Sequence, residues 1–301
     1  MTIEAWQLQP YLAERGKLVD AALDGFLPAV DVLPVSLHDS MRYSIFAGGK
    51  RVRPILMLAA CEAVGGDMET ALPAACALEM IHGYSLIHDD LPAMDDDDLR
   101  RGQPTNHKVY GEATAILAGD ALLTEAFILL TNPDVWGNID PLRRCEVTHI
   151  IAKSAGSRGM VGGQVVDMES EERTIDLPTL EYIHTHKTGA LILAAIEAGA
   201  ILGGANDTQR QALRRYGAAA GLAFQVADDI LDIVAEQGQL GKDVGSDQQR
   251  GKATYPALLG LAEARERAEE LRSVALDALS DFDEQARPLR EIANYIVDRT
   301  S

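Results

Sequence analysis

The chain is poor in cysteine, in basic residues and in aromatics. Its three cysteines, Cys61, Cys76 and Cys145, are odd in number and widely spaced, with no CxxC pair. That excludes a disulfide framework, gives no zinc-ligand spacing, and fits a reducing cytoplasm. Lysine and arginine number 27 against 46 aspartates and glutamates, for a net charge of −19. Such a balance argues against nonspecific binding to nucleic acid or to anionic membranes. The opening "MTIEAWQLQPYLAERGKLVD" has no apolar core and is no secretory signal. The most apolar stretch, "GALILAAIEAGAILGGA", is cut by Glu197 and falls short of a membrane span, so no membrane insertion is expected. No stretch is rich in Pro, Ser or Gly for more than a few residues, so residues 1–301 read as a single domain.

Helical periodicity fills the space these absences leave. Aromatics make up 5% of the chain, and alternating β-branched runs are scarce. Apolar residues recur at spacings of three and four over Leu72–Ile87, Glu112–Leu130, Leu177–Leu202 and Arg214–Glu236. Several of these segments are apolar on more than one face, as helices buried in a large all-α body are. The fold class is all-α, a single large helical domain. The Gly-rich, charged segment from Glu236 to Lys252 is long for a connection, and such loops often act as lids.

The chemistry sits in the aspartates. "HDDLPAMDDDDLRRG" places six aspartates within ten positions, directly after an apolar helix. Pro92 disfavours helix at Leu91, so the helix should end near Asp90, and the turn "LPAM" can swing Asp95 back beside Asp89. A second group, "DDILD", sets Asp228 and Asp232 about 40° apart on one helix face. An isolated acidic run is usually a solvated face. Two such groups in otherwise apolar helices point instead to hard cations bound by oxygen, of which Mg²⁺ is the best fit. The calcium-loop pattern is absent.

Short Gly-marked basic clusters accompany them: "GGKRVRP", "LRRG", "HKTGA", "GKD" and "RGKATYP". "GGKR" lacks the P-loop spacing. Singly, each would be surface decoration. Together with carboxylate clusters in an acidic chain, they suggest Mg²⁺ bridging aspartates to diphosphate while Arg and Lys hold the remaining oxygens.

At this point "GGKRVRP", "SLIHDDLPAMDDDDLRRGQPT", "AGDALLTEAF", "GGQVVD", "HKTGALI", "FQVADDILD" and "GKDVGSDQQRGKATYPALLG" together resemble the trans-prenyltransferases, and most of all the bacterial type that makes farnesyl diphosphate. The resemblance implies roughly a dozen helices around a deep central cavity, the isoprenoid synthase fold, and a homodimer. It implies three Mg²⁺ ions, two on Asp89 and Asp95 and one mainly on Asp228. It puts Arg100, Lys187, Lys242 and Lys252 on the allylic diphosphate. Isopentenyl diphosphate would lie among Lys50, Arg53, His82 and Arg101. Thr188 and Gln225 match residues at the reaction centre. Tyr84 and Ser85 would form the floor that limits product length, Tyr84 lying about 7.5 Å before Asp89 along the helix. The implied reaction joins isopentenyl diphosphate head-to-tail to dimethylallyl or geranyl diphosphate. Three rivals share features of this reading: a C20-forming synthase, a terpene cyclase, and a non-catalytic regulatory subunit. The intact "GGKRVRP" and "LRRG" disfavour the cyclase, and two complete aspartate groups disfavour the subunit. A Mg²⁺ phosphohydrolase would leave "KTGALI" without a role.

Overall fold

The computed structural model describes residues 6–171, 173–238 and 253–299, with 235–238 as backbone only. The described residues are almost wholly helical. In chain order the helices are α1 (Leu8–Phe26), α2 (Val35–Phe46), α3 (Val52–Glu62), α4 (Leu72–Asp89), α5 (Asn106–Tyr110), α6 (Glu112–Thr131) and α7 (Pro141–Ala155). There follow α8 (Met160–Ser170), α9 (Leu177–Ile183), α10 (Ala190–Leu202), α11 (Asp207–Gly238), α12 (Tyr255–Leu259), α13 (Leu261–Ala278) and α14 (Arg287–Asp298). Among the described residues one hairpin pairs Leu99–Arg100 with Gln103–Pro104 across Arg101 and Gly102, both at positive φ (55° and 76°), the backbone of a tight two-residue turn. The described chain groups into two compact units, residues 1–58 with 67–148, and residues 59–66 with 149–301.

The first unit is organised on α4. Pro73 sits in its first turn, where a missing N–H costs nothing, and nearly every residue from Leu72 to Ile81 is buried. α4 packs along α6 and also meets α1 and α2. One of its buried residues is Glu79, a charge that needs a partner. Arg51 supplies it. Its guanidinium donates to Glu79 Oε1 at 2.9 Å, to Asp20 Oδ1 of α1 at 2.7 Å, and to the Ile45 carbonyl of α2 at 2.6 Å. The approach is set by the turn "GGKR", in which Gly48, Gly49 and Arg51 all have positive φ.

Among the described residues α6, rather than the 189–205 stretch, is the helix long and apolar enough to cross a membrane by length and composition. It packs on α4 and α2, with Ala115, Ala118, Leu122 and Ala126 buried in this unit. Its other face leaves Ile116, Leu117 and Ile128 exposed.

In the second unit, α11 packs against α10, α13 and α14. The helix expected over Leu177–Leu202 runs through, but between α9 and α10 His184–Gly189 forms a wider π-helical turn. α8 presses on this turn at Gly163, where a Cβ would stand 2.7 Å from Lys187 Cα and 2.8 Å from the His186 carbonyl carbon. Helix α11 runs to Gly238, so the segment expected to be a loop from Glu236 begins inside it. Residues 239–252, with Lys242, Lys252 and the expected lid, lie outside the described residues.

Two outcomes follow for stability. Arg51→Met should lower unfolding free energy by about 3–5 kcal/mol, because Glu79 is left charged and buried, and adding Glu79→Leu should recover most of it. Denaturant titration of the three proteins measures both. Gly163→Ala should cost about 1–3 kcal/mol by overpacking, read as a lower midpoint in the same titration.

Candidate functional site

The first acidic motif leaves α4 as the sequence suggests. The helix ends at Asp89, and the turn over Pro92 brings the chain back so that the Asp95 N–H donates to the Asp89 carbonyl at 2.8 Å. Asp96 follows at φ 50° and closes the turn through its N–H to Leu91 O at 3.1 Å. Asp89 and Asp95 are both half-buried. Asp90 is different. It is buried, and Arg100 Nε donates to its Oδ1 at 2.6 Å. Burial pushes the Asp90 carboxyl upward, and the Arg100 hydrogen bond opposes that. Arg100 also stands 3.6 Å from Asp97. The residue expected to hold a diphosphate is thus committed here to bracing the acidic turn.

Arg101, one residue on, points elsewhere because the hairpin turn reverses the chain between them. Its guanidinium donates to the Gly48 carbonyl. Gly49 leaves the space that this requires, since a Cβ there would meet Arg101 Nη1 at 2.5 Å. Lys50 is exposed on the same turn, and Arg53 follows in α3. His82 of α4 feels this group. Burial, and then the charges of Arg53, Arg101, Arg100 and Arg51, hold its imidazole well below the ordinary range. It is therefore neutral at pH 7. The first unit accordingly gathers Arg53, His82 and Arg101 around the "GGKR" turn.

Tyr84 is buried on α4, its hydroxyl pushed upward by burial and by the Asp89 charge. Ser85 is half-buried and donates to the His82 carbonyl at 2.8 Å, a bond within its own helix turn.

In the second unit the π turn runs beside α11 in the opposite direction. Gly189 meets Gly221 at one end, and His184 meets Asp229 at the other. Lys187 and Thr188 therefore fall abreast of Gln225. Gln225, Asp228 and Asp232 are all half-buried and spaced three and four apart, on one face of α11. Lys187 Nζ is bonded to Asp167 Oδ2 of α8 at 2.6 Å. Asp228 Oδ1 is paired with Arg299 at 2.7 Å, and that guanidinium also covers the Phe224 ring at 4.5 Å and donates to the Phe224 carbonyl. Asp229 is buried and accepts twice on one oxygen, from His184 Nε2 at 3.0 Å and from the Tyr255 N–H at 2.9 Å. Tyr255 in turn donates to Glu181 at 3.0 Å and stacks on His184.

Sequence reasoning missed Arg51, Asp90, Asp167, His184 and Asp229. Part of the signal was present. Adjacent residues on a helix diverge by about 100°, so Asp229 cannot share the face of Asp228 and Asp232 and must find a partner in the core.

Among the described residues, no three carboxylate, imidazole or thiol groups converge as a closed metal cage. Open pairs of hard oxygen ligands suit a cation that keeps most of its coordination for water and phosphate oxygens, as Mg²⁺ does. The guanidinium already seated on Asp228 shows that this carboxylate accepts a positive charge.

Comparison with known proteins gives the family. A family model described as Polyprenyl synthetase matches residues 34–293. A farnesyl diphosphate synthase of Geobacillus stearothermophilus is 53% identical over 260 residues, covering 86% of this chain and 87% of that protein. A heterodimeric geranylgeranyl pyrophosphate synthase large subunit from the chloroplast of Arabidopsis thaliana is 49% identical over 299 residues, covering 98% and 80%. The apo crystal structure of an FPP/GFPP synthase from Zymomonas mobilis superposes with a TM-score of 0.86 at 41% identity, covering 96% of this chain and 98% of that one. With its ordered motifs, its helical fold and a match over most of its length, the chain belongs to the polyprenyl synthetase family and is a prenyltransferase.

Proposed function

We propose that residues 1–301 act as one polyprenyl synthase domain. It condenses isopentenyl diphosphate with dimethylallyl or geranyl diphosphate to give farnesyl diphosphate and diphosphate. The C15 product is carried by one observation: a buried aromatic, Tyr84, five residues before Asp89 on the helix that bears the first acidic motif. An aromatic ring at that depth leaves no room for a longer chain growing along α4. A second reading, a C20 product, is favoured by relatives named as geranylgeranyl synthases.

Asp89, Asp95 and Asp228 would hold Mg²⁺, with three ions the expected number, and the allylic diphosphate would bind beside them. When bound, Mg²⁺ neutralises charge that builds on the diphosphate as it leaves. Lys187, exchanging Asp167 for phosphate, and Arg100, still held on Asp90, add fixed positive charge beside the same oxygens; Lys242 and Lys252 share this role. Lys50, Arg53 and Arg101 hold the diphosphate of isopentenyl diphosphate, with neutral His82 as a hydrogen-bonding partner that adds no charge. The allylic C–O bond breaks, and its electron pair departs with the diphosphate. Thr188 and Gln225 present oxygen dipoles to the allylic cation. The double bond of isopentenyl diphosphate then forms the new C–C bond. The proton lost as the double bond re-forms passes to the released diphosphate.

The face of α6 that exposes Ile116, Leu117 and Ile128 supports a homodimer. The three cysteines form no disulfide, in keeping with the cytoplasm.

Incubation with Mg²⁺, labelled isopentenyl diphosphate and dimethylallyl diphosphate, followed by dephosphorylation and chain-length analysis, should give mainly C15. Mainly C20 would move the assignment to the second reading, and no condensation would leave a regulatory subunit. Tyr84→Ala should shift the product to C20 or beyond in the same assay. Asp228→Asn should lower kcat by about 100-fold and raise the Mg²⁺ concentration needed for half-maximal rate.

A further inference from the structure

His88, the residue before Asp89, has no part in the reading above. Its ring occupies a particular place. Nε2 lies 3.0 Å from the Ile116 carbonyl of α6. A carbonyl only accepts, so Nε2 carries the proton and donates it. The ring fits over Gly119, where a Cβ would come within 2.5 Å of His88 Cδ2 and 2.9 Å of Cε1. Gly119 has no positive φ, so its missing side chain serves space and not backbone conformation. Four residues earlier on the same face of α4, Tyr84 meets the His88 ring edge-on, with centroids 5.8 Å apart and planes at 78°. The sequence of contacts is therefore a carbonyl and a notch on α6, an imidazole seated in them, and an aromatic ring leaning on the imidazole.

We propose that His88, seated on Gly119, is a specificity-determining residue that fixes the Tyr84 ring and so sets product length. The inference rests on Tyr84 being the floor of the product channel. A tyrosine ring can swing about χ1 and χ2, and a floor that swings passes a fraction of longer chains. An edge-on neighbour held at its own far end removes that freedom. The floor is then a property of α4 and α6 together, and residues outside the acidic motif control chain length.

The test is product analysis of the full-length protein at matched conversion. Reading the ratio of C20 to C15 separates specificity from any loss of rate through neighbouring Asp89. His88→Leu removes both the donor and the ring. Gly119→Ala fills the notch and displaces an otherwise unaltered His88. Each should raise the ratio by roughly fivefold, the worth of one lost aromatic contact. His88→Phe keeps a ring in the notch and should stay near the parental ratio. In a Tyr84→Ala background neither His88→Leu nor Gly119→Ala should lengthen the product further. If Tyr84→Ala lengthens the product while His88→Leu and Gly119→Ala lower only the rate, the inference falls and the floor stands. If Tyr84→Ala leaves the product unchanged, the floor falls and this inference with it. Should Gly119→Ala fail to fold by thermal unfolding, the pair His88→Leu and His88→Phe decides alone. Equal ratios in that pair overturn the proposal.

Discussion

Much of the first unit depends on the guanidinium of Arg51. It is the partner that lets Glu79 sit charged inside an apolar helix, and it reaches α1 and α2 with its remaining donors. Arg is suited to this because its planar fork can serve three acceptors at once, which a lysine could not do in the same geometry. The contact has a second effect. It holds the "GGKR" turn in its positive-φ conformation, and that turn offers the Gly48 carbonyl to Arg101. The gathering of Arg53, His82 and Arg101 therefore rests on a buried ion pair.

The two aspartate motifs follow one rule. In each adjacent pair the first member, Asp89 or Asp228, is half-buried, and the second, Asp90 or Asp229, is buried and paired. Asp90 braces its turn through Arg100, while Asp229 joins the π turn to the start of α12. A carboxylate meant to bind a cation must keep lone pairs facing outward. Its orientation has to come from somewhere, and here the neighbour in sequence provides it. Under the proposed function, adjacent acidic residues divide anchoring from binding, and neither role can be transferred to the other position without rotating the helix.

Much of this was legible beforehand. The boundaries of α4 and α6 lie within two residues of the apolar periodicity, because Pro73, Pro92 and Gly111 punctuate them. The return of Asp95 to Asp89 followed from Pro92 alone. Periodicity could not show the π turn, since one extra residue in 26 leaves the apolar pattern helical throughout. Nor could it show that Lys187, Arg100 and Asp228 are each paired to Asp167, Asp90 and Arg299: the motifs that contain Asp167 and Asp90 do not say which cation each meets, and Arg299 lies far off in sequence. Spacing identifies which side chains share a face; it says nothing of what faces them.

The π turn at His184–Gly189 also sets how this part of the chain can change. An α-helix that absorbs one additional residue shifts its phase by about 100°, so α9 and α10 present their apolar stripes in different phases although they continue one another. Deleting a single residue here would give a more regular helix, yet the core would receive all of α10 rotated, with Leu191, Ile192 and Ala195 turned away from their places. The irregular turn behaves as a vernier between two rigid scales, and its length sets the packing of both.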